Sequence, residues 1–246
     1  MKRGIFVVGT DTGVGKTILA AALVLALQEE GLDVGVMKPL ESGAVGFEGT
    51  LIPEDALYLK EISQVQDPID RINPYRFEAP LAPAVAAEKE GIRVELERIK
   101  EAFRELSSRH QFMVVEGVGG LMVPISDGVL LPELIKEFGL PVLLVGRSSL
   151  GTINHTLLSL SLCEREGIEV VGFLLNKVSS LSDPSEGSNP TSISSFTSAP
   201  YLGTFPFLGE FRDLKSIQPF LLSLMREHIN LPLLFERLGI SKGRTS

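Results

Sequence analysis

The sequence predicts a three-layer α/β fold, a doubly wound and mostly parallel sheet with helices on both faces. Three observations carry that expectation. Short apolar runs recur along the chain, stretches with helical patterning separate them, and a glycine stops several of those helices shortly before the next run. No segment of the 246 residues divides the chain convincingly in two, so a single domain is expected.

Taken in order, strands are predicted at Gly4 to Val8, Val34 to Lys38, Phe112 to Glu116, Val142 to Val145 and Val170 to Asn176, with a short sixth around Leu202. Helices are predicted at Lys16 to Glu30, Pro53 to Ile62, Val94 to Ser108, Pro132 to Phe138 and Thr152 to Glu166, and a last one runs from Ile217 to Leu238 with an interruption near Pro232. Gly31, Gly139 and Gly167 end three of them, as glycine does where the chain must turn left-handed after a helix. Residues 179–198 break the rhythm: rich in Ser, Thr, Pro and Gly, they read as a loop holding a short helix opened by Pro190, or else as a linker. Fewer than 50 residues follow, too few for an independent core, which favours the loop.

Composition narrows the function classes. A net charge of −8 argues against a broad nucleic-acid or anionic-membrane surface, which needs clustered Lys and Arg; the one basic run, Lys242-Gly243-Arg244, is short and terminal. No apolar run reaches membrane-spanning length and the first residues lead straight into a strand, so a cytoplasmic protein without nucleic-acid or membrane partners is expected. A lone cysteine, Cys163, excludes an internal disulfide and a multi-cysteine zinc site; its apolar surroundings read as core.

The chemistry concentrates in four places. Gly9-Thr10-Asp11-Thr12-Gly13-Val14-Gly15-Lys16-Thr17 joins an apolar strand to an apolar helix through a loop suited to holding phosphates. Backbone amides and the helix start would surround the anion, Lys16 would neutralise it and the Thr17 hydroxyl would reach a magnesium ion. The strict phosphate-loop spacing asks for glycine at position 10, where Thr10 stands; the glycine comes one residue early, at Gly9. The second strand delivers Lys38 to the carboxyl edge of the sheet, where open α/β sheets bind ligands, and Ser42 follows in a glycine-containing turn. The third strand ends on Glu116 followed by Gly117-Val118-Gly119-Gly120, an acid placed as in a Walker-B strand. Asp55 opens a helix and reads, on residues alone, as a dipole-stabilising acid. Asn154 and His155 start the helix after Gly151, where free amides could hold a carboxylate.

Together these motifs, with Lys38 to Gly43, Val115 to Gly120, Gly151 to His155, Asn73-Pro74-Tyr75, Asn176 and Pro200 to Pro206, resemble the dethiobiotin synthetase family of the P-loop NTPase superfamily, from residue 4 to about 208. The loop with its early glycine is that family's form. The resemblance implies a homodimeric, magnesium- and ATP-dependent ligase that closes a ureido ring on 7,8-diaminopelargonate with carbon dioxide. It implies that Lys16, Lys38 and Thr12 act at the reacting groups and that Thr17, Asp55 and Glu116 surround magnesium. It puts Gly13, Val14, Gly15 and Ile18 with Lys16 and Thr17 on the phosphates, Gly117, Val118 and Gly119 beside them, and Asn176, Lys177, Pro206, Phe207 and Leu208 around the base. Thr12 and Ser42 would hold the diamine, and Thr152, Ile153 and Asn154 of the neighbouring subunit its carboxylate. Some members carry an acid in place of Gly13 and another in place of Lys177, which leaves the preferred base open.

Two other classes compete. Cobyrinic- and cobyric-acid-type synthases have similar phosphate loops but carry a glutaminase domain with a catalytic cysteine, which this chain has no room for. Partitioning or septum-placing ATPase switches usually place a lysine early in the loop, where this chain has Thr10, Asp11 and Thr12. The final helix, the one candidate for a membrane anchor, reads as packed on the domain.

Overall fold

A computed structural model describes residues 4–209 and 216–240; the basic run at 242–244 lies outside them. The chain runs β1 (Gly4–Gly9), α1 (Lys16–Glu29), β2 (Val34–Met37), β3 (Leu40–Ser42), the hairpin β4 (Val45–Phe47) and β5 (Thr50–Ile52), α2 (Glu54–Ser63), α3 (Ile69–Ile72), β6 (Tyr75–Phe77), α4 (Pro83–Lys89) and α5 (Leu96–Arg109). It continues through β7 (Phe112–Gly120), the ribbon β8 (Pro124–Ser126) and β9 (Val129–Leu130), α6 (Leu131–Phe138), β10 (Val142–Arg147), α7 (Thr152–Arg165), β11 (Val170–Asn176), α8 (Asn189–Ser194), β12 (Tyr201–Phe205), α9 (Gln218–His228) and α10 (Leu231–Leu238).

Six strands form one parallel sheet in the order β12-β11-β10-β1-β7-β2. The period-two geometry of a strand sends alternate side chains of β1 to opposite faces. Ile5 and Val7 join a core with α1, α2, α9 and α10, whereas Phe6 and Val8 join one with α5, α6 and α7. Helix α1 is apolar on nearly all sides because α2 and α9 cover what the sheet does not. Its Leu19, Leu23 and Leu27 are fully buried, each contributing about 2 kcal/mol of hydrophobic stabilisation.

Two predicted boundaries shift for identifiable reasons. Strand β7 does not end at Glu116 but runs four residues on to Gly120. The glycines permit it: a Cβ on Gly117 would stand 3.3 Å from the Phe6 ring and 3.4 Å from the Val7 carbonyl oxygen, and one on Gly120 would stand 3.2 Å from the Thr10 carbonyl oxygen. The last predicted helix is two helices. Pro232 cannot donate a backbone hydrogen bond, Asn230 caps the second helix by accepting from Leu233 N at 3.1 Å, and Asn230 N donates to Leu202 O at 2.7 Å. Leu221 and Met225 of α9 are buried in the α1 layer, so the C-terminal segment packs on the sheet as expected.

Residues 179–198 contain the helix α8, with Pro190 in its first turn, and hydrogen bonds tie the segment down. Asp183 Oδ2 accepts from Leu150 N at 2.9 Å, and Asn189 Nδ2 donates to Ser148 O at 2.8 Å. One Glu186 oxygen accepts from Ser148 Oγ at 2.8 Å and the other from Lys177 Nζ at 2.9 Å. Among the described residues, no helix is long and apolar enough to cross a membrane.

Candidate functional site

The phosphate loop leaves the central strand β1 and enters α1 at the carboxyl edge of the sheet. Its three glycines serve different physical needs. Gly9 provides room: a Cβ there would lie 2.7 Å from Asp11 O, 2.8 Å from Lys16 Nζ and 2.9 Å from Val14 Cγ2, so the loop folds back over this position. Gly13, at φ 72°, would meet no atom within 4 Å and is needed for its left-handed backbone. Gly15 is needed for both reasons, with φ 90° and a Cβ position 2.1 Å from Asn176 Nδ2. Asn176 Nδ2 itself donates to Val14 O at 2.9 Å, which fastens the end of β11 to the loop.

Lys16 is buried and donates to the carbonyl oxygens of Asp11 at 3.0 Å and Gly119 at 2.9 Å. Burial lowers its pKa to about 8, with Glu116 opposing that change. Because bound phosphates favour the ammonium form, nucleotide binding takes up a proton once free Lys16 begins to lose its own. Nucleotide affinity is therefore expected to be flat with respect to this group below about pH 7 and to fall by up to about tenfold per pH unit above pH 8. Isothermal titration between pH 7 and 9.5 measures this, and a Lys16→Met variant that keeps the same slope would assign it to another group.

Lys38, on the segment leaving β2, reaches the acids. Its Nζ lies 2.6 Å from Glu116 Oε1 and 2.7 Å from Asp55 Oδ2. Burial opposes the Lys38 charge, but Glu116 and Asp55 outweigh it and hold the pKa above the ordinary lysine value. Burial likewise works against the Asp55 carboxylate, and Lys38 more than offsets it, leaving Asp55 below the usual range. Thr17 Oγ1 donates to Glu116 Oε1 at 2.8 Å. The other oxygen, Glu116 Oε2, is buried with no hydrogen-bond partner among the described residues. A buried unpaired carboxylate oxygen beside a hydroxyl and a second carboxylate is the hard, sparse donor set that suits magnesium held jointly with phosphates. No cluster of three or more His, Cys, Asp or Glu side chains fit to hold a metal occurs among the described residues.

A cavity of about 720 Å³ opens over these groups. Thr12, Gly13, Gly15, Lys16, Thr17, Ile18, Lys38, Ser42, Asp55, Glu116, Val118 and Gly119 all line it, so most of the sequence-predicted residues converge. Ser42 Oγ is buried and unpartnered among the described residues. A smaller cavity of about 260 Å³ adjoins, walled by Gly13, Gly15, Ile18, Asn176, Lys177, Pro206, Phe207 and Leu208. Lys177 Nζ is turned to Glu186 there. Five predicted residues stand apart. Val14 is fully buried in the core that α1 joins. Gly117 packs against Phe6 and Leu131 in the core, and Thr152, Ile153 and Asn154 begin α7 away from both cavities.

Sequence reasoning missed two contributions. Pro80, Leu81, Ala82 and Pro83 supply an apolar wall to the same cavity, carried by the turn from β6 into the start of α4, which was too short to show periodicity. Glu41 also lines the cavity and accepts from the amides of Asp55 and Ala56. Its place within Lys38 to Gly43 was a signal that was available.

Comparison with known proteins identifies the family. A family model described as an AAA domain matches residues 3–213. The ATP-dependent dethiobiotin synthetase of Anaeromyxobacter dehalogenans (strain 2CP-C) is 50% identical over 183 residues, covering 74% of this chain and 80% of that protein. That of Bacillus subtilis subsp. natto is 37% identical over 238 residues, covering 97% of this chain and 100% of the relative. Among solved structures, a ParA family ATPase from Chlorobium tepidum TLS superposes with a TM-score of 0.52 at 20% identity, covering 98% and 99% of the two chains. The MinC:MinD cell division protein complex of Aquifex aeolicus gives 0.51 at 15% identity, covering 96% and 94%. At those identities the structures speak for the doubly wound fold alone. The sequence relatives decide the family: the chain is a member of the ATP-dependent dethiobiotin synthetases.

Proposed function

We infer that this protein is an ATP-dependent dethiobiotin synthetase, a carbon–nitrogen-bond-forming ligase of biotin biosynthesis that uses 7,8-diaminopelargonate and carbon dioxide. The observation that carries the reading is the convergence of two buried lysines, Lys16 and Lys38, with Asp55, Glu116 and Thr17 on one cavity that follows the phosphate loop.

In this reading one substrate amine adds to carbon dioxide and releases a proton, giving a carbamate. A carbamate oxygen attacks the γ-phosphorus as the bond to the ADP oxygen breaks. The second amine then attacks the carbonyl carbon, loses a proton and expels phosphate, closing the ring. Every charged species is anionic at the reacting end, so the protein's work is positioning and cation placement. Lys16 and Lys38 are the two ammonium groups placed to balance γ-phosphate and carbamate. Thr12 and the unpaired Ser42 Oγ are the polar groups available to the diamine, and Pro80 to Pro83 with Val118 and Val123 offer its methylene chain an apolar wall. Thr17, Asp55 and Glu116 would hold magnesium, which supplies charge neutralisation at the transferring phosphoryl group when bound. Gly13 to Ile18 would surround the phosphates, with Asn176 to Lys177 and Pro206 to Leu208 around the base. No step requires a protein nucleophile, in keeping with a Cys163 whose thiol burial pushes up to about 11.

A homodimer with shared sites belongs to the same reading, as does a cytoplasmic location. Met122 and Leu158 are 59% and 63% exposed beside Asp11 and His155, an apolar face next to the start of α7. Such a face on two copies would let Thr152, Ile153 and Asn154 of one copy serve the diamine carboxylate in the other. The test is release of phosphate from ATP with magnesium and bicarbonate. It is expected only when 7,8-diaminopelargonate is added, with dethiobiotin as the product. Phosphate release indifferent to the diamine, or stimulated instead by DNA or lipid, would overturn the assignment.

A further inference from the structure

We propose that Glu41 is the positioning residue for Asp55. It holds the first turn of α2 from outside the helix, so that the Asp55 carboxylate faces Lys38, the cation it shares with Glu116. The inference rests on the reading of Asp55 as a magnesium ligand.

Helix α2 begins without help of its own. The residue at its N-cap is Pro53, which makes no side-chain cap, and the first-turn amides must find acceptors elsewhere. Glu41 provides both. From β3, fourteen residues back along the chain, Oε1 accepts from Asp55 N at 3.0 Å and Oε2 from Ala56 N at 3.1 Å. The Glu41 side chain is buried, so the two bonds operate in a low-dielectric setting. Among the described residues these are the hydrogen bonds the carboxylate makes, and they lock the backbone of the residue whose side chain pairs with Lys38.

The strand that carries Glu41 is itself fixed. Strand β3 pairs with β6, placing Glu41 opposite Arg76, and Asn73 Nδ2 donates to Lys38 O at 2.7 Å. Thus residues 38–42 deliver Lys38 to the acids and Glu41 to the helix bearing one of those acids. One short segment sets the distance between the cation and its partner. Placing a third carboxylate near Asp55 and Glu116 is electrostatically costly, since the three repel and burial opposes each charge. A site that needed only a cap for α2 would meet the need with serine or threonine at position 53. The costlier arrangement makes sense if Asp55 must be held in place against the pull of Lys38.

Binding of Mn²⁺ to the ADP complex, read by electron paramagnetic resonance, tests this without relying on turnover. Glu41→Gln keeps the shape but leaves one acceptor oxygen for two amides, and Glu41→Ala leaves none. Mn²⁺ affinity is expected to fall about three- to tenfold in the first and further in the second, while ADP binding without metal stays within about twofold of the parent. Steady-state turnover should show the same order in the metal concentration needed for half-maximal rate, with kcat partly restored at saturating metal. Asp55→Asn separates the two levels. If it weakens Mn²⁺ binding and Glu41→Gln does not, the positioning role of Glu41 is overturned. If Asp55→Asn leaves Mn²⁺ binding unchanged, the metal-ligand reading of Asp55 falls, and the role of Glu41 with it.

Discussion

Lys38→Gln is expected to lower diamine-dependent phosphate release by about 10²–10³-fold, the usual loss when one preorganised charge-stabilising donor is removed from a water-poor site. Glutamine is polar and similar in reach but carries no charge. The substitution leaves Lys16 and the amides of the phosphate loop in place, so nucleotide binding should change little while kcat collapses. That separation is what distinguishes a group acting on the transferring phosphoryl or the carbamate from one that merely binds ATP. Stopped-time product assays beside nucleotide titration measure both quantities. Turnover within about threefold of the parent would remove Lys38 from the mechanism.

Glu116→Gln should damage both folding and activity, and a second variant resolves the two. Glu116 is 1% exposed and lies 2.6 Å from Lys38 Nζ, which is itself 4% exposed. Removing one partner of such a pair strands the other charge in the interior and costs about 3 kcal/mol, the low end of the usual range because Asp55 still faces Lys38. For a domain of this size that corresponds to a drop of roughly 6–12 °C in melting midpoint. Activity should fall by at least about 10³-fold, since the same carboxylate is both Lys38's partner and an oxygen donor for magnesium. The double variant Lys38→Met with Glu116→Leu replaces both charges by apolar groups of similar volume. It should recover most of the lost stability and none of the activity. Calorimetry of the parent, Lys38→Met, Glu116→Leu and the double variant closes the cycle, and a double variant no more stable than Glu116→Leu would show that the pair is not what holds this region together.

Much of the architecture was legible because long parallel strands and a helix buried on all sides leave strong patterns. The run Ile5 to Val8 could scarcely be anything but a core strand, and Gly139 stands at the left-handed C-cap of α6 at φ 61°. What escaped notice was short or depended on contacts distant in sequence. Strands β3 and β6 have three residues each and pair with one another, so neither shows a period. Glu116 reads as the end of a strand because three of the next four residues are glycines, which ordinarily mark a turn; here they let β7 continue close against β1. Among the functional residues, Lys16 and Thr17 are recognisable by spacing. Asp55 is not: on residues alone it looks like any acid in a first helical turn, and only its 2.7 Å approach to Lys38 sets it apart. Glu41 was hidden for the same reason, its partners being two amides in a helix further along the chain.

The placement of β1 at the centre of the sheet bears on how the molecule comes into being. Phe6 is in register with Val142, and Thr10 N donates to Val145 O at 2.9 Å, so β1 pairs with a strand made 136 residues later. Its other neighbour, β7, also arrives late, with Ile5 in register with Val114. Contacts this distant in sequence slow folding, because a long loop must close before they return any stabilisation. On the ribosome, therefore, the segment from Gly9 to Thr17 emerges well before the strands that supply its backbone partners. A nascent chain holds the sequence of the nucleotide site long before it holds the site.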